Sequence, residues 1–223
     1  MVVLVLLVPL YLFLPDLTPV TTAYVPELPW DRLIPLQPAW SLVYGALYAF
    51  LIVLPVIVVH DAEQIRRTVH AYLFVWLTAY LFFLFFPTVA PRPAEVIGEG
   101  FGVWGLRSLY AADPPYNCFP SLHVAHSFVS ALTCRRVHRG VGTVAVACAV
   151  LVAVSTLFSK QHYIADVVGG ALLAVVAYLL FLRGDREPIA EHERRVAPAL
   201  ALMTLAVVSI GLVCFWVIYL AGP

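Results

Sequence analysis

Seven apolar runs constrain this chain more than any other feature: residues 2–14, 40–59, 69–86, 121–134, 141–158, 164–182 and 199–221. A helix needs about 20 residues to cross the hydrocarbon core of a bilayer. The runs are too long and too rich in leucine for the alternating strands of a membrane barrel. The predicted fold class is therefore all-α: a polytopic transmembrane helical bundle in a single integral-membrane domain over 1–223. The first run is short. No basic residue precedes it as in a signal peptide, and it is read as a true span. Composition agrees: 62% of the chain is apolar and 12% charged, against about half and a quarter in soluble domains. Thirteen basic and thirteen acidic residues cancel, which argues against a nucleic-acid partner. Cys118, Cys134, Cys148 and Cys214 follow neither a disulfide framework nor a zinc-ligand spacing and are read as small apolar fillers.

The loops separate by charge. Arg66, Arg67, Arg135, Arg136, Arg139, Arg183, Arg186, Arg194 and Arg195 fall in one set, whereas Arg32, Arg92, Arg107 and Lys160 fall in the other. Short arginine-rich loops stay in the cytoplasm. The N-terminus is then cytoplasmic, the C-terminus outside, and Trp30, Trp40, Trp104 and Trp216 lie at the outer interface. The run at 121–134 is half polar, with Ser121, His123, His126, Ser127, Ser130 and Thr133. Polar groups are expensive in lipid, so this helix is expected to line a cavity or the bundle interior.

Three polar stretches open on the outer side: FPTVAPRP (86–93), NCFPSLHVAHS (117–127) and STLFSKQHYIADVV (155–168). In the last, His162 and Asp166 are four residues apart and share a helix face. A carboxylate there can hold one ring N–H and aim the other nitrogen as a nucleophile or base. Pro120 suits a first helical position, where free backbone N–H groups and the Ser121 hydroxyl would point outward toward an anion. His123 follows closely enough to protonate a leaving oxygen. Arg92, between two prolines, can clamp phosphate oxygens. Lys160 can neutralise phosphate or snorkel to the interface. His126 is read as a hydrogen-bonding residue of the bundle. Glycines at 98, 100, 102 and 105 suggest that 87–119 is a movable lid over the entrance.

These stretches resemble the type 2 phosphatidic acid phosphatase superfamily, the lipid phosphate phosphatases, whose core vanadium haloperoxidases share. The family pattern is K-x6-R-P, then P-S-G-H, then S-R-x5-H-x3-D. Here the same places hold Phe85 and Arg92-Pro93, then Pro120-Ser121-Leu122-His123, then Ser155-Thr156 with His162 and Asp166. The resemblance covers about 40–182. It implies a six-helix phosphatase-like core, with 199–221 as an additional transmembrane helix. It also implies a phosphohistidine on His162, oriented by Asp166, with His123 as proton donor and Arg92, Ser121 and Lys160 on the phosphate. Neither cofactor nor metal is expected.

Phe85 and Thr156 stand where the family has cations, and Leu122 where it has glycine. These departures resemble the branch containing inositol phosphorylceramide synthases, which move a phosphorylated head group onto a lipid alcohol. The expected function is a membrane lipid phosphatase or phosphotransferase, metal-independent, acting at the extracytoplasmic face of an integral membrane, the plasma membrane by expectation. Its partner would be a lipid phosphate or phospholipid substrate. Head-group transfer to a lipid alcohol is the alternative within that class. Two readings stand outside it. One is a zinc hydrolase using His123, His126, His162 and Asp166. The other is a membrane binder or transporter of lipid phosphates without catalysis.

Overall fold

A computed structural model describes residues 23–184 and 190–222. Seven α-helices follow one another: α1 (Trp40–Val58), α2 (Ala62–Phe85), α3 (Phe101–Ala112), α4 (Leu122–Val137), α5 (Arg139–Phe158), α6 (Ile164–Ala177) and α7 (Glu191–Ala221). A π-helical turn, Tyr178–Leu182, prolongs α6. The described residues form no β-strand, only isolated bridges of Tyr24 to Thr88 and Val89 to Tyr116. Among the described residues, five helical segments are long and apolar enough to cross a membrane: α1, α2, α5, α6 with its π turn, and α7. The expected span at 2–14 lies outside the described residues.

The half-polar α4 is the hub. It touches α1, α2, α5, α6, the π turn and α7. Lipid barely reaches it, so its polar side chains bond inside the bundle. The Tyr72 hydroxyl lies 2.7 Å from Ser130 Oγ and Thr68 Oγ1 3.3 Å from Thr133 Oγ1. The Trp76 indole N–H donates to His126 Nε2 at 2.6 Å, which gives the mid-span tryptophan its partner. Interhelical hydrogen bonds of this kind and small residues at contacts hold membrane helices together, because lipid tails are as apolar as the side chains they would displace. Gly142 of α5 runs so close to α4 that a Cβ there would lie 2.1 Å from Arg135 Cα. Gly170 of α6 is equally tight, with a Cβ falling 2.4 Å from the Ser121 carbonyl oxygen.

Capping sets the helix starts. Asp61 accepts from the Gln64 N–H at 2.7 Å, so α2 begins several residues before its apolar run, on the polar turn Glu63–Arg67. His138 Nδ1 accepts from the Val141 N–H at 3.2 Å and starts α5 directly after α4. Side-chain acceptors at this position satisfy N–H groups that have no intrahelical partner. The helix α7 likewise extends its run backwards through Glu191–Arg195.

The expected lid differs from a plain loop, because it contains α3. Gly98 and Gly100 do adopt positive φ, at 113° and 101°. Gly102 and Gly105 instead permit close packing on α1: added Cβ atoms would meet Ala39 Cα at 3.1 Å and Leu42 Cδ2 at 2.9 Å. Phe101 and Trp104 of α3 pack against Phe215 and Tyr219 near the end of α7, with ring centroids as close as 4.4 Å.

Candidate active site

The turn between α5 and α6 builds the site. Lys160 takes a left-handed conformation, φ 54°, just past the end of α5. The chain then folds back so that the Gln161 and His162 N–H groups both point at the Thr156 carbonyl, at 2.9 and 3.3 Å. The segment 28–34 straps this turn in place. Asp31, buried, accepts from Ile164 N–H at 2.8 Å through one oxygen and from Leu28 N–H at 2.7 Å through the other. An aspartate at a helix start is also favoured by the helix dipole.

Three distant segments meet here. His162 Nε2 lies 3.1 Å from His123 Nδ1, joining the start of α6 to the start of α4. Behind His162, its Nδ1 is 3.5 Å from Asp166 Oδ2. That distance is an ion-pair approach, longer than a hydrogen bond. Asp166 Oδ2 accepts from Tyr163 N–H at 2.9 Å, and the Asp166 carbonyl accepts from Ser121 N–H at 3.0 Å. The predicted His162, Asp166 and His123 are therefore in one cluster. Tyr44 and Tyr48 of α1 present edges to the His123 ring, at 5.3 and 5.0 Å between centroids.

Arg92 reaches the same place, but much of its guanidinium is engaged. It donates to the carbonyls of Asp113 at 2.6 Å and Tyr110 at 3.3 Å, and to Gln161 Oε1. Its Cζ stands 4.5 Å over the Tyr110 ring. The Tyr110 hydroxyl donates to the Ser159 carbonyl at 2.8 Å, so Arg92 and Tyr110 latch α3 to the turn between α5 and α6. Arg92 Nε remains buried without a hydrogen-bond partner, and so does Gln161 Nε2.

Two expectations about the anion site need correction. The helix starts two residues later than expected: Leu122, not Pro120, is the first helical residue of α4, and Ser121 caps it. The buried Ser121 hydroxyl accepts from Val124 N–H at 3.4 Å instead of pointing outward. Lys160 turns the other way: its ammonium donates to the carbonyls of Ile34 at 2.6 Å and Asp31 at 3.2 Å. Its charge is spent on the strap, because the left-handed turn aims the side chain away from the histidines. Of the departures from the family pattern, Phe85 is 82% exposed on the bundle's exterior. Thr156 is buried and donates to the Ala153 carbonyl, and Leu122 joins the apolar core. His126 belongs to the Trp76 and Tyr72 cluster, as expected of a bundle residue.

Sequence reasoning missed three residues. Asp113, at the end of α3, brings Oδ2 to 4.0 Å from His123 Nε2. Gln161 meets Arg92. Cys118, 2% exposed, lies against the His162 and Asp166 pair: one ligand atom from each of the three falls within 4.8 Å of the others. Burial, and then the nearby Asp166 carboxylate, push the Cys118 thiol pKa up. Burial raises Tyr110 as well, opposed by Arg92. The metal set expected for a zinc hydrolase, with His123 and His126, is not the one found among the described residues.

A family model described as the PAP2 superfamily matches residues 32–180. A PA-phosphatase related-family protein of Dictyostelium discoideum is 32% identical over 130 residues. That alignment takes in 51% of this chain and 23% of the relative, so the chain matches under a quarter of that protein's length. No solved structure matches.

Proposed function

The chain belongs to the PAP2 superfamily, and from that premise we propose that it is a membrane phosphoesterase acting on lipid phosphates through a phosphohistidine at His162. The contact of His162 Nε2 with His123 Nδ1 at 3.1 Å, with Asp166 behind it, carries this reading. Asp166 favours the proton on His162 Nδ1 and leaves Nε2 as the lone pair. The proton of the histidine–histidine contact then sits on His123 Nδ1, next to the nucleophile. His162 Nε2 attacks phosphorus, the bond to the lipid oxygen breaks, and His123 delivers its proton to that oxygen. In the second half His123 takes a proton from water as the water oxygen bonds to phosphorus, the P–N bond breaks, and phosphate leaves with His162 Nε2 restored as a lone pair. Phosphoryl transfer asks chiefly for positioning and charge stabilisation. Arg92 Nε, Gln161 Nε2 and the start of α4 are the donors at hand. At 3.1 Å the two rings leave no room for phosphorus between them, so substrate must part them.

The supply of cations favours a particular ester. Lys160 is engaged elsewhere and most of Arg92 is bonded to protein. A phosphodiester carries less charge than a monoester and needs fewer cations. Head-group transfer from a phospholipid to a lipid alcohol is therefore the second reading. The site lies at the end of the bundle opposite the arginine-rich loops, which supports an extracytoplasmic face.

Phosphate release by purified protein in EDTA, from phosphatidic acid and from a prenyl diphosphate, tests the reading. Release should vanish in His162→Ala and fall by about 10²–10⁴ in Asp166→Asn. Near-full activity in either variant would remove the mechanism. No release from intact wild type, with transfer in a lipid-acceptor screen, would select the second reading.

A further inference from the structure

We propose that Cys118, His162 and Asp166 form an inhibitory site for a thiophilic divalent cation, zinc or cadmium, that switches the enzyme off by capturing its nucleophile. The proposal rests on the functional reading above, in which His162 is the nucleophile. The three residues are 2%, 7% and 0% exposed, and their ligand atoms converge within 4.8 Å. Sulfur, imidazole nitrogen and carboxylate oxygen are the donor types zinc takes. A tetrahedral zinc site needs donors about 3.3–3.8 Å apart, given bonds of roughly 2.0–2.3 Å. Closing from 4.8 Å is a shift of about 1 Å.

A second observation points the same way. His162 Nδ1 and Asp166 Oδ1 are both buried without a hydrogen-bond partner. Unpaired polar atoms in a buried place are costly, and these two sit beside a thiol. The opposite ring nitrogen, Nε2, already faces His123, so Nδ1 is the nitrogen left for a ligand. Cys118 is held there by its backbone: Thr88 Oγ1 accepts from the N–H groups of Cys118 at 3.1 Å and Phe119 at 2.8 Å.

Coordination explains the loss of activity. The bound cation displaces the thiol proton to solvent and takes the lone pair of His162 Nδ1, so the imidazole proton moves from Nδ1 to Nε2 and occupies the attacking position. The cation also takes the carboxylate that aims the ring. His162 then lacks both its orienting partner and its nucleophilicity, although nothing blocks the phosphate entrance. The same metal is therefore an inhibitor, not a cofactor.

Binding is measured apart from activity. The full-length protein is titrated with cadmium, and the ultraviolet thiolate-to-cadmium charge-transfer band is followed in wild type, Cys118→Ser and His162→Gln. One thiolate per chain should report in wild type, and Cys118→Ser should lose the band. His162→Gln, which keeps the thiol, should weaken cadmium binding by at least about 10-fold, since even indirect partners of a metal site are worth 10–100-fold; it serves if the cysteine variant does not fold. In parallel, the zinc concentration that halves phosphate release should rise at least about 10-fold in Cys118→Ser. A band that persists in Cys118→Ser, or zinc inhibition equal in both proteins, overturns the site. Activity abolished by chelator and restored by zinc overturns its inhibitory role. A normal band in a protein with no phosphatase or transferase activity leaves the metal site standing and removes the functional reading instead.

Discussion

Four side chains at the heart of the site form a row, two imidazoles flanked by two carboxylates, from Asp166 through His162 and His123 to Asp113. On the proposed mechanism the first carboxylate would set the tautomer of His162, while Asp113 faces His123 Nε2, the nitrogen opposite the one that meets His162. Asp113 would then be a positioning residue for His123 as general acid. Asp113→Asn should lower kcat on the order of 10-fold with KM little changed. On a His123→Ala background the same substitution should cost almost nothing, because residues acting as a unit are not additive. Equal losses on both backgrounds would show that Asp113 acts only through the fold of α3. The first carboxylate was legible in the sequence because it follows His162 by four residues, a local relation, although His162 lies just before α6 and the turn, not a shared helix face, brings the pair to 3.5 Å. Asp113, Gln161 and Cys118 were not. Each meets its partner across a chain separation that only packing of the lid against two helices closes, and none sits in a periodic pattern. For Lys160 the sequence left phosphate contact and snorkelling both open: charge and proximity to His162 are visible in the chain, whereas the left-handed turn and the bond of its ammonium to the Ile34 carbonyl are not.

Hydropathy located the helices that face lipid and was weakest for the one that does not. Helix α4 reads as a poor span because its serines, threonines and histidines pair with neighbours inside the bundle. Its polarity was a correct sign of an interior element. The lid helix α3 escaped because its glycines suggest mobility, although two of them serve contact with α1. The contact of α6 with α4 is the element-scale feature that brings His162 and His123 together. At Gly170 the α6 backbone passes close to the Ser121 carbonyl, and Gly169 abuts the Phe119 ring, with a Cβ 2.6 Å from Cε2. Gly170→Ala forces backbone apart, since the obstacle is a carbonyl and not the end of a flexible side chain. It should destabilise the protein by about 1–3 kcal/mol, measured as loss of thermal stability in detergent. It should also separate His162 from His123 and lower kcat more than a surface Gly→Ala such as Gly45→Ala, where nothing lies within 4 Å. Unchanged stability and rate would mean that the helices can separate freely without disturbing the pair.

At the scale of the whole molecule, two polarities coincide. Arg66 and Arg67 near the start of α2, Arg135, Arg136 and Arg139 between α4 and α5, and Arg194 and Arg195 at the start of α7 gather at one end of the bundle. The histidines, Arg92 and the strap 28–34 gather at the other. Arginine in short loops resists translocation, so the proposed orientation, with the arginine-rich end in the cytoplasm, would put the site on the outer face. The end of α7 packs on the lid helix through Trp104, Phe215 and Tyr219, which places the described C-terminal end on the site's side. Orientation is then measurable with reporters. Green fluorescent protein fused after Ala221 should be dark and alkaline phosphatase there active, whereas the same pair inserted within 185–189 should give the opposite result. Fluorescence from the fusion after Ala221 would invert the bundle and place the histidines in the cytoplasm. The chemistry of the site would survive that result, but its substrate would have to come from the inner leaflet.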